Sequence, residues 1–485
     1  MYCLPPSHSL FFTMDNQRSM SLLQFIGDEG LVPSPQEEQK RKNVIDSLKQ
    51  IVSSWIKEVA RRHRLPKHHI DLTSATILTY GSYGLRVHTS VSDIDALCVA
   101  PFFASIAEDF FVLLHRILKT RPEVSQIHCV KTAKVPLMRF KFDGISIDLP
   151  YARLNVLYVP ENVDILNPFF MRNIDDTSWR SLSGVRANKR ILQLVPNVEN
   201  FQYTLRCLKL WAKRRGVYGT LLGYLGGVHL AVLAAYVCQR HPDATLNALI
   251  VNFFRIFAFW RWPTPVILQE GMLLTTVDVI DTRSCMPIWL PSGPYEYCHS
   301  NITRSTFYRI KAEFMRGHIM TRDILKTDFH WDNIFEPFPY SKIYSRFVKI
   351  YLSTPDQCQL GDWVGWVKSR FRGFLAILEG VEGFCDPNPT EYVANEKTEP
   401  NVAFYWGLQP SRNNFVDIDF LEREFMKIIN NGYECSHGKM ELSILLDPQL
   451  PKNAQFDDET VKGRKTLWKI IDHDNKKSSQ WPCDT

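Results

Sequence analysis

Asp143-Gly144 separates two alternating runs, Val135 to Phe142 and Ile145 to Leu149, and this leaves the backbone little choice. An Asp-Gly pair supplies the positive φ angles of a two-residue turn, so alternation on both sides of it specifies a β-hairpin. Successive strand side chains point to opposite faces. In the second arm Ile145, Ile147 and Leu149 therefore face a core, and Ser146 and Asp148 face away from it.

Upstream, a β-branched approach from Thr76 to Tyr80 meets Gly81-Ser82, and ten residues later comes Asp93-Ile94-Asp95, continued by apolar Ala96 to Val99. On a strand Asp93 and Asp95 share one face. Paired carboxylates repel each other unless divalent cations lie between them, and Mg²⁺ is held by one or two carboxylates together with substrate phosphates. With Asp148 on a strand able to pair beside them, three aspartates suit a two-metal site for in-line phosphoryl displacement. The Gly81-Ser82 turn brings backbone N–H groups and a hydroxyl to a triphosphate, glycine permitting the close approach. Asp417-Ile418-Asp419 is an internal control with the same local pattern. There no Gly-Ser turn precedes it, and Phe420, Leu421, Phe425, Ile428 and Ile429 follow at helical spacing, so both aspartates belong to a helix N-terminal turn.

A chain of 485 residues exceeds one hydrophobic core and implies two to three domains. Its 45% hydrophobic and 22% charged residues are those of a soluble globular protein, and the net charge of +6 is compatible with a polyanionic partner without demanding one. Eleven scattered cysteines with no C-x-x-C pair read as reduced intracellular thiols, not as a disulfide framework or a zinc site. Cys435 and His437 lack a second pair and read as surface loop. No secretory signal stands out, and the apolar run Leu225 to Val237 falls short of the ~20 residues that span a bilayer, so no membrane partner is expected.

Residues 1–30 read as a loosely held, flexible extension. Ser34-Pro35-Gln36-Glu37 is a capping box with a first-turn proline. Val44, Ile45, Leu48, Ile51, Val52, Trp55, Ile56 and Val59 then form the apolar stripe of a long helix. In Leu205 to Lys213, Lys209 and Lys213 lie one turn apart with Arg206 on the same face, which without context reads as a solvated basic surface. Residues 183 to about 342 are mainly helical. Beyond them a helix near Trp363 to Leu378, a strand at Val402 to Leu408, a helix at Phe420 to Ile429 and a strand at Leu442 to Leu446 make a small α+β module without an RNP-type aromatic motif. The polar tail, residues 452–485, reads as disordered.

Apolar-Gly-Ser, ten residues, Asp-apolar-Asp-apolar and a later apolar-Asp-apolar together resemble the signature of the polymerase-β-type nucleotidyltransferase superfamily. More narrowly, DIDALCVAP, KVPLMRFKFDGISIDLPYARL, LKLWAKRRGVYG, LGYLGGVHLAVL, FFRIFAFWRWPTPVIL and MPIWLPSGPYEYCHSNIT resemble eukaryotic poly(A) polymerase in a plant-like version, and the resemblance continues more weakly to about residue 450. It implies a multidomain α+β architecture: a polymerase-β-like nucleotidyltransferase domain over residues 31–182, a helical middle domain over 183–342 and a C-terminal RRM-like (ferredoxin-like) RNA-binding domain over 343–451. It further implies template-independent addition of AMP from ATP to an RNA 3′ end with release of pyrophosphate. Two Mg²⁺ ions, or Mn²⁺ in their place, would be held by Asp93, Asp95 and Asp148, with Asp148 at the ion that activates the 3′-hydroxyl. Tyr80, Gly81, Ser82, Lys209, Lys213, Tyr218, Gly227 and Val228 would bind the nucleotide. The family reading also carries a monomer, cleavage and polyadenylation factors as partners, and a nuclear location; the short C-terminus leaves the cytoplasm as the alternative.

Three departures from the family pattern concern nucleotide handling: Gly84 and Arg86 after Gly-Ser-Tyr, Thr89-Ser90-Val91-Ser92 before the first aspartate, and Ser183 in place of an asparagine. They keep open a terminal transferase that uses UTP. A catalytically silent RNA-binding or processing-complex protein is the alternative from another class, and retention of all three aspartates argues against it.

Overall fold

The computed structural model describes residues 6–131, 133–268, 284–291, 298, 300–394, 397–409, 417–432 and 438–446. Cys435, His437 and the tail from residue 452 onward lie outside these. Strands β1 (Thr76–Tyr80), β2 (Ile94–Pro101), β3 (Val124–Val130), β4 (Leu137–Phe142) and β5 (Ile145–Leu154) form one sheet in the order β1-β2-β5-β4-β3. The β4–β5 hairpin turns through Asp143 and Gly144, both at positive φ, and its register sets Phe140 opposite Ile147 and Arg139 opposite Asp148. β2 and β5 run parallel, with Asp95 opposite Asp148. Parallel strands require a crossover, supplied by a helix over Ile106–Leu114 that runs on through His115–Lys119, followed by β3 and β4.

Alternation along β2 divides the sheet. Ile94, Ala96 and Cys98 join a core with Phe110 and Tyr151 and with the stripe of helix Pro35–Arg62, where Leu48, Val52, Trp55, Ile56 and Val59 are fully buried. That helix begins at the expected capping box: the Ser34 hydroxyl accepts from the Glu37 amide at 3.3 Å, and the Ser34 amide donates to the Glu37 carboxylate at 2.8 Å. Leu97 and Val99 point the other way, onto Leu182 and Val185 of helix Asp176–Leu194. Asp93 and Asp95 share their face but lie at the strand's start, where apolar cover gives way to a cleft.

The N-terminal segment differs from the expected flexible extension. Pro6–Asp28 is a helix in which Leu22 and Ile26 are buried. Arg18 donates to the Phe329 and Lys326 carbonyls at 3.1 and 2.8 Å, and Asp15 accepts from Thr245 and Asn247. Its partner surface lies more than 200 residues downstream, so no local pattern reveals that the helix is held. Helix Asp176–Leu194 runs through residue 183, the expected boundary.

Helices Val198–Arg214, Gly227–Arg240, Leu246–Ala258 and Arg304–Thr321 build the middle region around Trp211, Phe253, Phe254 and Phe314. Leu225 to Val237 enters its buried helix as expected, and among the described residues no helix is long and apolar enough to cross a membrane. A second sheet follows, of β6 (Arg346–Ser353), β7 (Cys385–Asp386), β8 (Asn401–Leu408) and β9 (Lys439–Leu446), all antiparallel in the order β7-β8-β6-β9. One face packs Val348, Ile350, Phe404 and Trp406 against Phe371, Phe374 and Phe425 of the helices. The opposite face is closed by aromatic residues, with Phe347, Tyr351 and Tyr405 meeting Tyr308, Phe338, Tyr340 and Tyr344.

A buried ionic chain ties this sheet to the middle region. Arg215 grips Glu313 at 2.8 and 2.9 Å, Arg309 pairs with Glu313 at 2.8 Å and with Asp386 at 3.1 Å, and the Tyr344 and Tyr224 hydroxyls donate to Asp386. Burial alone would raise the Glu313 pKa, but the two guanidinium groups hold it down at about 2.

Candidate active site

Three walls enclose a cleft of about 620 Å³. The first is the turn after β1. Gly81 has φ +59°, and a Cβ there would sit 1.9 Å from Asp95 Oδ2, so glycine is required both by the backbone and by the carboxylate beside it. Asn188 reaches across from helix Asp176–Leu194 and donates Nδ2–H to the Gly81 carbonyl at 2.9 Å. Ser82 lines the cleft next to it. Tyr80 stays out of the lining. Its ring packs where a side chain at Gly184 would stand, and burial, then the charges of Asp95, Asp148 and Asp93, push its pKa up.

The second wall carries the aspartates. Asp93, Asp95 and Asp148 all line the cleft. Burial, then Asp93 and Asp148, raises the Asp95 pKa from 3.8 to about 7, with Lys209 opposing. Arg139 forks both Asp148 oxygens at 2.7 Å each. The Asp143-Gly144 turn already implies that pairing: counting outward from it sets 142 against 145 and 139 against 148. The sequence therefore carries the register that brings Arg139 into the site, although no motif marks that arginine.

The third wall is the middle region. Lys209 and Lys213 reach the cleft from helix Val198–Arg214, and Tyr218, Gly227 and Val228 complete it. Burial, then Lys213 and Arg206, lowers the Lys209 pKa to about 8. The Tyr218 ring lies 5.7 Å from Lys213 Nζ, and a Cβ at Gly227 would stand 3.3 Å from the Tyr218 hydroxyl. Arg206, grouped with the lysines by helical spacing, is buried and donates to the carbonyls of Leu31, Arg86 and His88. Ser183 is not in the lining; its hydroxyl donates to the Arg180 carbonyl at 2.7 Å. Of the departures from the family pattern, Thr89, Val91 and Ser92 do form cleft wall.

The donor set is all oxygen, as Mg²⁺ or Mn²⁺ prefers. Asp95 and Asp148 stand opposite on adjacent strands, and both open onto the cleft. Among the described residues no three His, Cys, Asp or Glu side chains converge into a finished cage, and Arg139 occupies both Asp148 oxygens. The residues fit divalent ions provided Arg139 yields one oxygen.

Comparison with known proteins decides the family. Residues 7–195 match the poly(A) polymerase nucleotidyltransferase domain, and residues 200–337 match the poly(A) polymerase central domain. The chain belongs to the poly(A) polymerase family. Nuclear poly(A) polymerase 3 of Arabidopsis thaliana is 56% identical over 462 residues, covering 95% of this chain and 90% of that protein. Nuclear poly(A) polymerase 1 of the same plant is 37% identical over 444 residues, covering 88% of this chain and 62% of that one. The poly(A) polymerase of Dictyostelium discoideum is 36% identical over 447 residues, covering 88% and 54%. The chain thus spans between half and two thirds of those two longer relatives. A solved Cid1 poly (U) polymerase aligns over 66% of this chain and 99% of its own, with 14% identity and a TM-score of 0.48. Poly(A) polymerase nucleotidyltransferase domains work with divalent metal ions.

Proposed function

We infer that the chain is a template-independent polynucleotide adenylyltransferase, transferring AMP from ATP to an RNA 3′ end and releasing pyrophosphate. The observation that carries this reading is the convergence of Asp93, Asp95, Asp148, the Gly81-Ser82 turn, Lys209 and Lys213 on one cleft, in a chain 56% identical to a nuclear poly(A) polymerase. Two Mg²⁺ ions, or Mn²⁺, held by the three aspartates would supply activation of the 3′-hydroxyl and charge neutralisation at the leaving pyrophosphate. Ser82 and the backbone beside it orient the triphosphate. Lys209 and Lys213 neutralise it, and the reduced proton affinity of Lys209 recovers once a polyanion sits beside it. Tyr218, Gly227 and Val228 flank the nucleotide from the middle region. Most of the acceleration is then positioning plus electrostatics.

The β7-β8-β6-β9 order with helices on one face supports an RRM-like reading of the C-terminal module as an RNA-binding domain. Because aromatic residues of the middle region close its other face, RNA would meet its edges and basic groups and not stack on the sheet. The catalytic domain is taken to end near residue 195, the middle domain near 342 and the C-terminal module near 451. The proposal extends to nuclear mRNA polyadenylation by a monomer with cleavage and polyadenylation factors as partners; the names of the relatives support the nuclear location. The test is extension of an RNA primer with ATP and a divalent ion, run against each other nucleotide in turn. Extension with ATP, lost in Asp93→Ala and Asp148→Ala, supports the reading; no extension, equal extension by the variants, or preference for UTP overturns it.

A further inference from the structure

The connection from Arg86 to Ser92 leads directly into Asp93 and forms part of the cleft wall through Val87, Thr89, Val91 and Ser92. Its start is tied to the preceding turn, where the Arg86 and Val87 amides donate to the Tyr83 and Ser82 carbonyls, and its buried His88 meets Glu38 at 2.9 Å, but beyond His88 the bonds within it are confined to Thr89 and Ser92, and Val91 is 91% exposed. What fixes it comes from behind. Arg206 takes the carbonyls of Arg86 and His88, Lys209 takes that of Val87 at 3.3 Å, and Arg41 takes those of Thr89, Ser90 and Ser92 at 3.3, 2.8 and 2.6 Å. Six of the seven carbonyls between residues 86 and 92 thus end on a cation from another element.

Arg41 is the least expected of these. It lies on helix Pro35–Arg62, is 2% exposed, and all three bonds leave from Nη2 while Nη1 has no partner. Neither Arg41 nor Arg206 forms an ion pair with a carboxylate among the described residues, although such a partner is the usual way to bury a guanidinium. The helix does not need Arg41 to dock, because its apolar stripe from Val44 to Val59 already does so.

We propose that Arg41 is a positioning residue for Asp93: by gathering three of the four carbonyls that precede it, Arg41 holds the connection and the first metal-ligand carboxylate in working position. The proposal rests on the reading of Asp93 as a metal ligand.

The test is Mn²⁺ binding to the full chain, without RNA or nucleotide, read from the electron paramagnetic resonance signal of free Mn²⁺. Alongside it are hydrogen exchange over residues 86–93 and the KM for RNA, in Arg41→Met and Arg41→Lys. The lysine offers one nitrogen with three donors to three converging carbonyls, but on a shorter stem. The expected result is a Mn²⁺ dissociation constant raised at least tenfold in Arg41→Met and less in Arg41→Lys. Exchange should be faster over 86–93 but not within residues 44–59, and the RNA KM should stay within twofold. If the methionine variant does not fold, the lysine variant carries the test, with a threefold rise as its threshold. A smaller rise, or loss of RNA affinity in step with Mn²⁺ affinity, overturns the proposal while wild type that binds Mn²⁺ through Asp93 keeps the site reading. If Asp93→Ala binds Mn²⁺ as well as wild type, the site reading falls and the proposal with it.

Discussion

Asp95 makes the metal-free enzyme work against its own stability, and Asp95→Asn should relieve this. In the native protein burial and the neighbouring carboxylates raise its pKa from 3.8 to about 7, whereas the unfolded chain keeps the ordinary value. Below the ordinary value both states are protonated and nothing is lost. Between the two values the native state holds a proton that the unfolded state has released, so stability falls as pH rises, and the loss is complete above about 7. Roughly three powers of ten in proton affinity, at about 1.4 kcal/mol each, set the upper limit of this cost near 4 kcal/mol. Asparagine is neutral in both states. In chelator, the thermal midpoint of Asp95→Asn should therefore exceed that of wild type by several degrees at about pH 8 and by much less at about pH 5, at about 2–4 °C per kcal/mol for a domain of this size. Saturating Mn²⁺ should reverse the order, because wild type gains binding energy that the variant cannot. Parallel melting curves across that range, or a variant less stable than wild type at every pH, would refute the reasoning.

Gly81→Ala should cost at least 100-fold in kcat/KM for ATP, because a Cβ would collide with the Asp95 carboxylate at a positive φ, and a primer-extension rate reads this directly. Arg309→Met leaves the buried Asp386 with only tyrosine hydroxyls and Glu313 with Arg215 alone, so chemical denaturation should report a loss of about 3–5 kcal/mol. A smaller loss would mean that water enters the chain. With the Lys209 pKa near 8, kcat/KM for ATP should decline as pH rises through that value, whereas Lys209→Met should be low throughout and without that limb.

Where the chain carries its own local instructions, the fold and the site were legible from it. The Asp143-Gly144 turn specified the β4–β5 register, the Ser34 to Glu37 box began the long helix, and Asp417 caps helix Ile418–Asn430 by accepting from the Phe420 amide, as the contrast with Asp93 required. Helical spacing put Lys209 and Lys213 on one face and both reach the cleft. The same spacing misassigned Arg206, because spacing does not reveal that backbone carbonyls from residues 31 to 88 converge on that side chain. Helix Pro6–Asp28, Asn188 and Arg41 act on partners distant in sequence, and no local pattern encodes those. Arg139 was within reach, since register counting alone pairs it with Asp148. The closed face of the second sheet depends on Tyr308, Phe338 and Tyr340, which precede the module they cover.

Asp93, Asp95 and Asp148 are proposed to act together on RNA and ATP. The most direct measurement is single-turnover extension of a short RNA primer by the wild type and by Asp148→Ala, with ATP and Mg²⁺ saturating. Wild type should add adenylate and Asp148→Ala should lose at least 1,000-fold in rate while nucleotide binding persists, as holds when a group acts mainly on the transition state. Addition at comparable rates by both proteins would contradict the proposal.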